Sequence, residues 1–130
     1  MYSLSQKLLA EFFGTFGVIF FAVGAIAADQ YLRIATQGSL TVLALATAYG
    51  LTYAVMTTAV GHISGGHLNP AVTIGFWVTK RLSTMQTVLY WASQLLGASA
   101  AAYTMKKSDI ATQTHAATFR ARRRMFICPP

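Results

Sequence analysis

The sequence predicts an all-α membrane protein with three transmembrane helices and one re-entrant half-helix. Composition is the first reason: of 130 residues, 55% are hydrophobic and only 10% charged, outside the balance of a soluble domain. The second is Ile34 to Thr79, 46 residues without Asp, Glu, Lys or Arg. As one helix this run would be about 69 Å long at ~1.5 Å per residue, more than twice the ~30 Å bilayer core. The third is the break it carries. Gly65-Gly66 permits irregular backbone, and Asn69-Pro70 reads as an N-cap followed by proline at the first helical position.

The first span is expected over about 8–28, after the polar start Met1 to Lys7. Its apolar run is longer than the roughly 7–15 residues of a signal peptide, and Glu11 interrupts its beginning. Glu11 and Thr15, four apart, share one helix face near Gly14 and Gly17. A carboxylate here either faces protein or a wet cavity, or lies close enough to the interface to reach water.

A polar connection, Asp29 to Gln37 with Arg33, leads to a second span over about 38–60. Tyr49 and Tyr53 in it read, by spacing alone, as packing or interface anchors, and Thr52, Thr57 and Thr58 offer hydroxyls to the bundle. The half-helix follows, over about 69–79. Its length from Pro70 is about 15 Å, half the apolar thickness, so it enters without crossing. Irregular backbone at membrane depth survives only where protein buries it or a watery cavity faces it, which makes this loop a candidate pore or solute site.

Lys80 and Arg81 precede the third span, about 85–105, with Tyr90 and Trp91 as candidate interface residues. Gly97, Ala98, Ser99, Ala101 and Ala102 form a small-residue face suited to close packing, and Gln94 is expected to face protein. The chain thus divides into a membrane body, 1–107, and a basic tail, 108–130, which lacks an apolar stripe and is expected to be disordered. Beyond Met105 the tail side supplies +5 of the net +7. A solvated tail is the reading preferred over contact with anionic lipid, and no nucleic-acid partner is expected.

Several chemistries are excluded. Cys128 is the single cysteine, so no internal disulfide forms. His62 and His67 are five apart without acids or thiols nearby, which favours structural hydrogen bonding over a metal site. No nucleophile, base and orienting group occur together and no phosphate loop is present, so neither an enzyme nor a cofactor is expected.

The string Gly61-His62-Ile63-Ser64-Gly65-Gly66-His67-Leu68-Asn69-Pro70-Ala71-Val72-Thr73 resembles the first Asn-Pro-Ala loop of the aquaporin (major intrinsic protein) family, and the likeness extends from about Glu11 to Tyr103. The resemblance implies the first of two inverted repeats, a passive channel for water or a small neutral solute such as glycerol, and a multi-pass place in the plasma (cell inner) membrane's lipid bilayer. It implies a homo-oligomer, tetrameric for the full channel. Glu11 would brace the re-entrant loop. Tyr49, twenty residues before Asn69, would be the aromatic member of the outer constriction, where phenylalanine is common in water-selective members. Pro70 and Ala71 would begin the half-helix at the midplane, with the positive end of its dipole toward the lumen. Asn69 would then donate to a passing water while the carbonyls of Gly65, Gly66 and His67 form an acceptor track, and a cation would meet an opposing field.

Asn-Pro occurs once in the sequence, so the resemblance covers one repeat, and the tail is expected to lie outside the family. A reading-frame shift or truncation near Met105 is the leading explanation, and the alternative function is a non-transporting remnant of a channel gene. Two copies opposing their half-helices are a further possibility. Family-like topology would send Arg33 and the basic tail outside, against the positive-inside preference.

Overall fold

The computed structural model describes residues 2–127. Four helices follow in order: α1 (Leu4–Thr36), α2 (Val42–Ser64), α3 (Pro70–Val78) and α4 (Thr84–Ile127).

A capping box starts α1. The Ser3 hydroxyl accepts from Gln6 N at 3.3 Å, and Gln6 Oε1 accepts from Ser3 N at 2.8 Å. The helix does not stop at Ala28. It takes in most of the expected polar connection, because Arg33 Nε donates to Asp29 Oδ2 one turn back at 2.9 Å and Asp29 Oδ1 accepts Leu40 N at 2.6 Å. Asp29 therefore secures the end of α1 and the start of the turn together. Gln37, in the left-handed region at φ 58°, ends the helix. Its 33 residues span about 50 Å, so its polar end clears a ~30 Å core.

Thr41 caps α2 by accepting from Ala44 N at 3.2 Å, which sets the start at Val42 and leaves Gly38 to Leu40 in the connection. At the other end of the chain, α4 runs on through 108–127, where disorder was expected. No glycine or proline lies in that stretch to break a helix. Cys128, Pro129 and Pro130, also part of the expected tail, lie outside the described residues.

Helix α1 packs against both α2 and α4, and α3 lies on α4. The inward face of α4 is Tyr90, Ser93, Gln94, Gly97 and Ala101, a stripe with helical recurrence. Of the expected small-residue face, Gly97 and Ala101 are inside while Ser99 and Ala102 are exposed. Gly97 is there for proximity: a Cβ on it would overlap the Phe12 carbonyl oxygen of α1. Tyr90 is no interface anchor. It is 1% exposed, and its hydroxyl donates to Ser64 O at 2.8 Å.

The interior is largely polar, with Glu11, Thr15, His67, Thr73 and Gln94 buried, whereas Phe13, Phe21, Leu51, Val55 and Leu96 stand exposed. That inversion suits a lipid surround, where apolar side chains lose nothing by facing outward. Among the described residues, two helices are long and apolar enough to cross a membrane, over Leu4–Ile34 and Val42–Ser64. The hydropathy of α4 is lowered by the charged residues beyond Met105 and, before them, by groups that point inward: Ser93 Oγ donates to Leu8 O at 2.5 Å, and Gln94 reaches Glu11.

Candidate pore site

Helix α2 ends where two glycines allow it to. Gly65 takes φ 97° as the C-cap and donates to Gly61 O at 2.9 Å, and Gly66 follows at φ 62°. At Gly66 space is limiting too, since a Cβ would lie 3.0 Å from Thr57 O. Leu68 also adopts positive φ, 47°, without glycine's freedom. Its strain is met by contacts: its amide donates to Glu11 Oε2 at 2.7 Å, and its side chain fills the space opposite Gly14.

The chain then becomes extended at Asn69, φ −154°, and restarts as α3. Asn69 Oδ1 accepts from Ala71 N at 2.8 Å, and Pro70 occupies the first helical position, where no amide hydrogen is needed. With its oxygen committed to the cap, Asn69 keeps its NH₂ as a donor. Trp91 Nε1, donating to Pro70 O at 3.2 Å, ties this restart to α4.

Glu11 lies behind the loop with no exposed surface. Oε1 accepts from Ser64 Oγ at 2.7 Å and His67 N at 2.9 Å, and Oε2 accepts from Leu68 N and Gln94 Nε2, each at 2.7 Å. Four donors match the roughly four lone-pair sites of a carboxylate. The group is fully satisfied by protein, which is what lets it be buried.

His67 is buried, its Nδ1 3.2 Å from Thr73 Oγ1 and its ring stacked on Phe76 at 4.3 Å. His62 is elsewhere, edge-on to Tyr2 at 5.9 Å, so the two histidines are not brought together. Among the described residues no group of three or more His, Cys, Asp or Glu could hold a metal.

In front of the loop is a cavity of about 160 Å³. Thr15, Val18 and Ile19 of α1, Tyr49 and Tyr53 of α2, Leu68, Asn69 and Pro70, and Gln94, Leu95 and Ala98 of α4 form its wall. The structure thus brings Tyr49 and Asn69 to one cavity. Gly65, Gly66 and His67 are not part of that wall: Gly65 is exposed elsewhere, Gly66 and His67 are buried, and Tyr53 OH donates to the His67 carbonyl at 3.1 Å. Sequence reasoning missed Ser64 and Tyr90 as partners of the loop and Tyr53 as a wall residue. The signals available were the spacing of four between Tyr49 and Tyr53 and that between Tyr90 and Gln94.

The family model for the major intrinsic proteins matches residues 1–125. The chain belongs to the major intrinsic protein family. The matched region runs past 107, into the stretch the sequence suggested lay outside the family. Aquaporin NIP1-1 of Oryza sativa subsp. japonica is 44% identical over 101 residues, 78% of this chain and 34% of the relative. The lens fiber major intrinsic protein of Oryctolagus cuniculus is 47% identical over 100 residues, 77% and 36% of the two chains. Aquaporin Z of Brucella melitensis biotype 1 is 47% identical over 98 residues, 75% and 41%. The chain therefore matches between 34% and 41% of the length of these relatives. Members of the major intrinsic protein family are integral membrane channels and not enzymes.

Proposed function

We propose that this chain forms one half of a passage for water or small neutral solutes, built by 1–107 as three spans and the re-entrant α3. The observation that carries the reading is the loop itself: backbone leaves helical geometry at Gly65, is held from behind by Glu11, and restarts at an Asn69 that borders a cavity. In this reading Glu11 braces the loop, and α4 supplies the third crossing with its polar side turned inward.

The mechanism follows from which groups remain free. The Asn69 NH₂ donates to a solute oxygen, and the first-turn amides of α3 present the positive end of its dipole beside it. A neutral molecule exchanges hydrogen bonds there at little cost, whereas a cation loses hydration against an unfavourable field. Tyr49 narrows the path on the α2 side, and its hydroxyl adds polarity to that constriction. The relatives named as aquaporins support water as the first solute to test.

The test is osmotic swelling of vesicles holding this polypeptide. Swelling faster than empty vesicles, and slowed by Asn69→Ala, supports the reading. Swelling no faster than empty vesicles would overturn it.

A further inference from the structure

The His67 carbonyl, expected as an acceptor in the solute path, is already engaged. Tyr53 OH donates to it at 3.1 Å, His67 is 3% exposed, and Tyr53, not His67, belongs to the cavity wall beside Asn69. A phenol carries one hydrogen and acceptor lone pairs on the same oxygen. Once that hydrogen is given to the carbonyl, the oxygen has only acceptance left to offer.

Building on the proposed solute path, we infer that Tyr53 is a specificity-determining residue, whose phenolic oxygen replaces the His67 carbonyl as the acceptor facing a solute beside Asn69. The wall then offers a donor, Asn69 NH₂, and an acceptor, Tyr53 Oη, with Gln94 Oε1, which no protein donor meets, as a further acceptor among its residues. A molecule settling between them must accept from one and donate to the other, so the site selects small neutral molecules that carry O–H or N–H over those that only accept. An unpaired polar group beside such a molecule costs more than a made bond returns, which gives the pairing its selectivity. Tyr49, one turn earlier with its ring 6.2 Å from that of Tyr53, continues the same side of the wall.

The test is solid-state NMR on the full chain in bilayers, with labels at tyrosine Cζ and at glycine and histidine backbone carbonyl carbons, reading polarisation transferred from water protons. In the unsubstituted chain, transfer is expected at Tyr53 Cζ and not at the His67 carbonyl, with the carbonyl of Gly38, exposed in the connection between α1 and α2, as the wet reference. Tyr53→Phe should produce transfer at the His67 carbonyl and shift its resonance, while Tyr49→Phe should leave both unchanged. The inference is overturned if the His67 carbonyl is as wet as Gly38 before substitution, if Tyr53 Cζ receives nothing, or if Tyr49→Phe has the same effect as Tyr53→Phe. Should Tyr53→Phe fail to fold, the unsubstituted spectrum decides by the first two criteria. Polarisation reads contact and not flux, so a failed swelling assay would sink the transport reading and leave this result standing.

Discussion

Gln94 and Glu11 are 83 positions apart in the chain, yet Gln94 Nε2 donates to Glu11 Oε2 at 2.7 Å inside the protein, with 1% and 0% of the two residues exposed. The same Gln94 nitrogen also donates to Thr73 Oγ1 of α3 at 3.0 Å. Helices α1, α3 and α4 are thereby joined through one amide, with the loop between α2 and α3 held by Leu68 N on the same carboxylate oxygen and by Ser64 Oγ and His67 N on the other.

Glu11→Ala removes the acceptor for four buried donors. Each buried orphan costs about 1–3 kcal/mol, so the substitution should abolish the ordered loop and lower the midpoint of thermal unfolding in detergent by many degrees. Glu11→Gln should recover only part of the loss, because its NH₂ cannot accept. Thermal scans followed by tryptophan fluorescence would check this, and equal midpoints for Glu11→Ala and the unsubstituted chain would contradict it.

Gly97→Val should separate α1 from α4. Even the first added carbon would overlap the Phe12 carbonyl oxygen, which is backbone and cannot rotate away. Overpacking of this kind costs about 1–3 kcal/mol, whereas Gly50→Ala, where an added Cβ meets nothing within 4 Å, should be neutral or better. Thermal midpoints of the two variants measured side by side decide the comparison.

Gly66→Ala should destabilise the loop more than Gly65→Ala. Both positions have positive φ, which costs an L-residue roughly 1–2 kcal/mol, but at Gly66 the new Cβ meets Thr57 O at 3.0 Å while at Gly65 it meets the His67 ring at 3.3 Å. The order of the two midpoints is the readout.

Asn69→Ser and Asn69→Ala separate the two roles of this side chain. Serine keeps an oxygen for the cap of α3, whereas alanine loses it at about 0.5–2 kcal/mol. Neither retains the NH₂. Stability should therefore fall with alanine and be nearly preserved with serine, while water permeability falls with both. Retained permeability in Asn69→Ser would remove the NH₂ from the mechanism.

Much of this was legible beforehand because the signals are local. Gly65-Gly66 and Asn69-Pro70 dictate backbone geometry through sterics and a missing amide hydrogen, and they placed a short helix within a residue of where α3 begins and ends. The ends of α1 were not legible: Asp29 to Thr36 looks like a connection until Arg33 closes on Asp29 and Leu40 bonds to the same carboxylate. Tyr90 and Tyr53 looked like interchangeable aromatics, and only the positions of two carbonyls, Ser64 O and His67 O, show what their hydroxyls do.

By itself, then, the sequence determined that the chain is helical, suited to lipid and interrupted at one capped restart, since those properties follow from hydropathy, length and the backbone chemistry of glycine, asparagine and proline. Tertiary structure alone decided which polar groups are spent on one another and which remain for a solute. Hydrogen-bond partners 26 to 83 residues apart are chosen by packing in space, and no pattern along the chain records that choice.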